Sequence, residues 1–213
     1  MDKSIITIKQ AHSIENVISK SRFIAYIKPV STENEAKAFI DEIKIKHKDA
    51  THNCSAYTVG PEMNIQKAND DGEPSGTAGI PMLEILKKQE IHNVCVVVTR
   101  YFGGIKLGAG GLIRAYSGAV RDVIYDMGRV ELREAIPVTV TLDYDQTGKF
   151  EYELASTTFL LREQFYTDKV SYQIDVVKNE YDTFIDFLNR ITSGNYDLKQ
   201  EDIKLLPFDI ETN

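Results

Sequence analysis

Two stretches of this 213-residue chain carry side chains whose types and spacing could do chemistry. In the first, His52 and Cys54 stand two apart, which puts both side chains on one face of a strand, and Asp70-Asp71-Gly72-Glu73 gathers three carboxylates in one turn. A histidine, a thiol and carboxylates are the parts of nucleophilic or general acid-base catalysis, so His52, Asp71 and Glu73 make one candidate neighbourhood, of hydrolase type. The plainer reading is a core cysteine, a hydrogen-bonded histidine and acidic turn residues, because nothing in the sequence orients the imidazole or lowers the thiol pKa. No catalytic residue is assigned, and the expectation leans away from an enzyme. EF-hand spacing is missing from the acidic turn, no helix bears H-E-x-x-H, and Cys54 and Cys95 form no C-x-x-C pair, so neither a metal nor a cofactor is expected.

The second stretch, Thr99-Arg-Tyr-Phe-Gly-Gly-Ile-Lys-Leu-Gly-Ala-Gly-Gly111, runs into an amphipathic helix. Gly103, Gly104, Gly108, Gly110 and Gly111 form a candidate anion-binding loop, since free amides and the dipole at a helix N-terminus attract negative charge. It matches no nucleotide fingerprint: Ile113 stands where a dinucleotide loop needs Gly or Ala, and Gly110-Gly111-Leu112 replaces the Gly-Lys-Ser/Thr of a Walker A loop. Arg100 and Lys106 flank the loop. Arg114, Gly118, Arg121 and Tyr125 follow at i, i+4, i+7 and i+11, opposite the apolar stripe of Leu112, Ala115, Ala119, Val123 and Met127. Two guanidinium groups, a small residue and an aromatic ring suit RNA phosphates and stacked bases, so Arg100, Lys106, Arg114, Arg121 and Tyr125 are the candidate nucleic-acid surface. The competing reading is an ordinary solvated face neutralised by Asp122 and Asp126.

These residues need elements to hold them. Ile5–Ile8 and Arg22–Val30 read as strands, and Thr32 with Glu35 forms a capping box before a helix that buries Ala36, Phe39, Ile40 and Ile43. Asn53–Val59 reads as a strand, residues 69–79 as a structured loop, and Met82–Lys88 as a short helix with Pro81 in its first turn. The continuous apolar run Val94–Val98 predicts a central strand covered on both faces. Gly128 is placed to end the long helix. Pro137 and a change in charge mark a boundary near residue 134. Beyond it the order is strand (138–144), helix (from 148), strands (162–166 and 170–177), helix (181–191) and strand (203–210), the β-α-β-β-α-β order of a ferredoxin-like unit.

With 42% hydrophobic and 27% charged residues, the chain has the material for packed cores, which excludes wholesale disorder. No apolar run is long enough for a membrane span and no secretory leader is legible, so a soluble cytoplasmic protein without membrane contact is expected. The net charge of −7 is unevenly spread. Residues 1–134 carry 18 Lys and Arg against 17 Asp and Glu, and residues 135–213 carry 7 against 15. A polyanion is therefore expected to meet the first part, and the acidic second part suits a protein partner.

His52-Asn-Cys-Ser-Ala-Tyr57, Asp70-Asp-Gly-Glu-Pro-Ser-Gly-Thr-Ala-Gly79 and Val97-Val-Thr-Arg-Tyr-Phe-Gly-Gly-Ile-Lys-Leu-Gly108 resemble, in order and spacing, the signature segments of the YigZ/IMPACT family. The resemblance covers about residues 15–125. It implies an α+β protein of two domains: residues 1–134 as an IMPACT-type N-terminal domain, an α/β sandwich like ribosomal protein S5 domain 2, and residues 135–213 as a ferredoxin-like domain similar to the last domain of elongation factor G. Eukaryotic members are understood as regulators of translation. For this chain the resemblance implies a link to RNA, ribosomes or translation factors and assigns no catalytic role to Arg100, Gly103, Gly104 or Lys106. The expected function is thus a translation-associated accessory or regulatory protein that binds RNA, the ribosome or a translation factor through a basic N-terminal surface. A small hydrolase and a protein adaptor are the alternatives.

Overall fold

The computed structural model describes residues 5–210. Residues 1–4, part of the stretch read for a leader, and residues 211–213, the end of the expected second domain, lie outside that range. The described chain separates into two compact units: one runs to Glu131 and includes Asp209 and Ile210, and the other is Leu132–Phe208.

The first unit contains β1 (Ile5–Thr7), β2 (His12–Ile18), β3 (Ser21–Pro29), α1 (Glu33–Lys46), β4 (His52–Val59), β5 (Ile65–Asn69), α2 (Gly79–Lys88), β6 (Val94–Tyr101) and α3 (Gly108–Met127). Its five-stranded sheet has the order β2-β3-β6-β4-β5, and every neighbouring pair is antiparallel. β6 is the central strand, as its apolar run predicts. Alternation along β6 sends Val94, Val96 and Val98 into a core with Met82 and Leu86 of α2 and with Leu112, Ala115, Tyr116 and Val120 of α3. Cys95 and Val97 face the other way, onto Ala36, Phe39 and Ile43 of α1. The sheet is thus covered on both faces.

Local chemistry explains where these elements begin and end. The Thr32 hydroxyl accepts from the Glu35 amide (3.2 Å), and the Glu35 carboxylate reaches back to the Ser31 amide (2.7 Å), so the expected capping box closes one residue further back than the standard form. Gly128 follows α3 at φ +79°, where a side chain would be strained. In this unit two strands, β2 and β5, are not announced by the sequence. Both lie at sheet edges, where the outward positions are polar and alternation is weak. The turn joining β2 to β3 uses Ser19 and Lys20, both at positive φ (48° and 65°), a hairpin geometry that Asn-Gly would have announced and Ser-Lys does not.

In the second unit β7 (Val130–Leu142), α4 (Tyr144–Leu154), β8 (Leu160–Tyr166), β9 (Val170–Val177) and α5 (Tyr181–Thr192) follow in the expected order, the last expected strand is β11 (Lys204–Asp209), and a short strand not expected, β10 (Asp197–Gln200), precedes it. β9 lies between β7 and β8, and β10 and β11 both pair with β7. Val138, Val140, Val170, Tyr172 and Ile174 pack under Phe150 of α4 and Phe184, Phe187 and Leu188 of α5. No helix among the described residues is long and apolar enough to cross a membrane.

Candidate functional site

Strand register builds the first half of the site. Arg100 of β6 is opposite Phe23 of β3 on one side and His52 of β4 on the other. Arg100 is in phase with Val94, Val96 and Val98, so all three side chains lie on the face that α2 and α3 cover. Phe23, Arg100 and His52 therefore form a row across three strands at one end of the sheet. The guanidinium lies over the Phe23 and Phe102 rings, with its carbon 5.4 Å from each centroid.

The loop after β5 drops Glu73 onto this row. Its side chain is only 3% exposed; Oε1 accepts from Arg100 Nη1 and from the Tyr116 hydroxyl of α3, each at 2.7 Å. Its Oε2 is 3.7 Å from His52 Nε2, beyond a direct hydrogen bond. His52 Nδ1 lies 2.9 Å from the main-chain oxygen of Asp71. A carbonyl only accepts, so Nδ1 carries a proton, and in the neutral tautomer Nε2 is a lone pair on the side of Glu73.

The acidic turn is held by its own backbone. Asp70 accepts from the amides of Gly76 (2.8 Å), Ala78 (3.0 Å) and Gly79 (2.8 Å), anchoring the loop and the start of α2, which begins at Gly79, three residues ahead of expectation. Burial alone would raise its pKa, and the three amides outweigh that and hold the carboxyl below its usual range. Asp71 turns its carboxylate away from His52, to Lys44 Nζ and the Asn53 amide, each at 2.7 Å. Of the candidate trio, His52 and Glu73 come together, and Asp71 joins them only through its main-chain carbonyl. Cys54 is buried and donates to the Asp70 carbonyl; burial pushes its thiol up to about 12, so it supplies no thiolate. Among the described residues no group of three or more His, Cys, Asp or Glu side chains is arranged to hold a metal ion.

Beside this cluster lies a cavity of about 430 Å³. Its polar lining comes from Thr51, His52, Glu73, Arg100 and Lys106, and Pro74, Phe102, Leu107, Ala109 and Leu112 supply apolar walls. Gly108 and Ala109, the first two residues of α3, stand at its edge, and Leu107 provides no side-chain cap for the helix.

The expected basic surface is partly redistributed. Arg100 is 5% exposed and paired, so it is withdrawn from any nucleic acid, contrary to the sequence expectation; the alternation that buries Val94–Val98 continues through it and was the signal to read. Gly103 leaves the anion loop too. A Cβ there would sit 1.9 Å from the Lys20 carbonyl oxygen, and its amide is already given to Ser21 Oγ (3.1 Å). Gly104 (φ +86°) belongs to the turn before the helix, and Gly108, Gly110 and Gly111 form the first turn of α3. Lys106, Arg114, Arg121 and Tyr125 are exposed, Tyr125 at 87%. None of the three cations takes part in a salt bridge among the described residues. The helix's own carboxylates are engaged elsewhere: Asp122 accepts from Asn16 (3.0 Å) and Asp126 meets His12 (2.6 Å), both on β2.

Comparison with known proteins supplies the last observations. Residues 19–124 match the family model of the Impact N-terminal domain, and residues 140–195 match that of a domain of unknown function, DUF1949. The IMPACT family member YvyE of Bacillus subtilis is 49% identical over 203 residues, covering 95% of this chain and 94% of that protein. A crystal structure described as that of a hypothetical protein aligns with TM-score 0.60 and 29% identity, over 93% of this chain and 97% of the other. The structure of Yih1, described as a two-domain translational regulator, aligns with TM-score 0.36 and 28% identity over 57% of this chain and 46% of that one.

Proposed function

This chain belongs to the YigZ/IMPACT family, and we propose that it is a translation-associated regulatory or accessory protein whose first domain binds RNA, on the ribosome or free, through the exposed face of α3. The observation that carries the reading is the sorting of charge on that helix. Asp122 and Asp126 are held by β2, and among the described residues Arg114 and Arg121 have no carboxylate partner. Unpaired guanidinium groups contact phosphates, and an exposed ring offers a base a stacking platform. The Arg114 guanidinium lies back toward the first turn of the helix, where a Cβ at Gly110 would meet Nη1 at an ordinary contact distance of 3.6 Å. Lys106 extends the positive surface past that turn.

We assign the first domain to the ribosomal protein S5 domain 2-like fold and the second to the ferredoxin-like class. The support is the family resemblance together with the β-α-β-β-α-β order and a sheet that runs β10, β7, β9, β8. The excess of carboxylates in residues 135–213 repels phosphate, so RNA contact is assigned to the first domain alone.

The test is co-sedimentation with ribosomes and binding to single-stranded RNA at low salt, with the Arg114→Glu, Arg121→Glu double variant alongside. Both side chains are exposed, so the variant is expected to fold normally and to lose binding. Unchanged binding by a folded double variant would overturn the surface assignment. Absence of binding by the natural protein would overturn the function.

A further inference from the structure

Apart from Lys106 at its rim, the cavity at the start of α3 is not used by the RNA reading, and its polar groups are arranged for a ligand of definite chemistry. At its inner end His52 Nε2 and Glu73 Oε2 stand 3.7 Å apart, and in the tautomer that gives the Nδ1 proton to the Asp71 carbonyl both are acceptors. A group carrying two hydrogens on one nitrogen satisfies both. Charge decides which kind. Glu73 is already balanced by Arg100 at 2.7 Å, so a buried ammonium would bring an uncompensated positive charge, and a neutral amino group would not. Nε of Arg100 is, in addition, a buried donor without an acceptor among the described residues.

The rim has the opposite preference. Lys106 has no carboxylate partner among the described residues, and the uncapped first turn of α3 adds amide hydrogens, so negative charge is favoured there. Between rim and floor the walls are Phe102, Leu107 and Leu112, with Pro74. Apolar side chains of that kind pack on a flat aromatic ring. The volume, about 430 Å³, lies within the roughly 300–1,000 Å³ of small-molecule sites.

We infer that this cavity binds a nucleoside 5′-monophosphate whose base carries an exocyclic amino group, with the amino group between His52 and Glu73, the ring against Phe102 and Leu107, and the phosphate at Lys106 and the start of α3. The same chemistry is presented by a free nucleotide and by the 5′-phosphorylated end of an RNA. The inference shares Lys106 with the RNA surface and is otherwise separate from it, because Arg114 and Arg121 do not line the cavity.

The experiment is titration of the full chain with AMP, CMP, UMP and IMP, followed by calorimetry and by the imidazole nitrogen resonances of His52. AMP or CMP is expected to bind saturably and to move the His52 Nε2 signal. UMP and IMP, which place a carbonyl oxygen against two acceptors, are expected to bind at least tenfold more weakly. Lys106→Glu, on an exposed side chain, is expected to weaken AMP at least tenfold. His52→Phe is expected to abolish the preference for AMP over IMP, and its melting curve shows whether it is folded. The Arg114→Glu, Arg121→Glu variant is expected to bind AMP normally even where it has lost RNA, which separates this site from the helix surface. A 5′-phosphorylated oligoadenylate that displaces AMP at lower concentration than AMP itself identifies an RNA end as the occupant; the reverse order identifies the free nucleotide. Equal affinity for AMP and IMP, AMP binding indifferent to Lys106→Glu, or no saturable binding of any mononucleotide would each overturn the inference.

Discussion

Arg100 and Glu73 are a buried ion pair, Nη1 to Oε1 at 2.7 Å, in which the Tyr116 hydroxyl donates to the same oxygen, tying α3 to the end of the sheet through a loop residue. A buried pair is costly to desolvate and still costlier to break, because the surviving partner is left charged and unpaired. Glu73→Ala is therefore expected to destabilise the first domain by about 3–5 kcal/mol, read from urea unfolding. Glu73→Gln keeps an acceptor for Arg100 and Tyr116 and is expected to cost less. A loss below about 1 kcal/mol in the alanine variant, the scale of an exposed pair, would mean that the pair does not hold the loop to the sheet.

The elements legible in the sequence were those with strong local signals. Val94–Val98 announced a doubly covered strand, the Thr32/Glu35 pair announced the start of α1, and the stripe from Leu112 to Met127 announced α3. The site was harder, because its geometry comes from register. That Arg100 is opposite His52 depends on how β4 slides against β6, which no spacing within either strand states. The alternation through Val94, Val96 and Val98 puts Arg100 on the buried face, and this signal in the strand outweighs the basic character of the residue. Asp70 and Asp71 were visible as acids but not as anchors, since the amides and the Lys44 ammonium they hold come from elsewhere in the chain or in the loop. The engagement of Asp122 and Asp126 by β2 was hidden for the same reason, with more than a hundred residues separating the partners.

Asp70 makes the stability of the first domain sensitive to acid. Its folded-state pKa lies below the usual carboxylate value of about 4, so the unfolded chain takes up the proton first as pH falls. The stabilisation is fully present above that unfolded value and is lost as pH drops through the folded one. Asp70→Ala removes an acceptor from three amides and is expected to cost about 1 kcal/mol at neutral pH, on the scale of a lost helix cap. The difference between variant and parent is expected to shrink as pH falls below about 4. Unfolding free energies measured across that range check it, and a gap that stays constant into acid would contradict the role given to Asp70.

Salt dependence counts the phosphate contacts. Four cations were expected on the RNA surface, and the burial of Arg100 leaves three, Lys106, Arg114 and Arg121. At about −0.7 per phosphate contact on a single strand, the slope of log affinity against log salt is expected near −2. Arg121→Ala is expected to make it shallower by one contact and to leave unfolding unchanged. A slope near −3 in the natural protein would require a further cation beyond these three.

Gly118 separates the demands of the helix from those of the surface. It lies inside α3, where a Cβ would meet nothing within 4 Å, so the fold gains nothing from its small size. Glycine in a helix interior costs about 0.5–1 kcal/mol relative to alanine, and Gly118→Ala is accordingly expected to stabilise the protein by that amount in thermal or urea unfolding. The residue lies between Arg114 and Arg121 on the exposed face, where a bare backbone lets an RNA chain come close. Gly118→Leu, which keeps good helix propensity and adds bulk, is expected to weaken RNA binding at least tenfold in a protein at least as stable as the parent. If both variants are stabilised and both bind RNA as the parent does, close approach at Gly118 is not part of recognition, and contact is confined to the long side chains on either side.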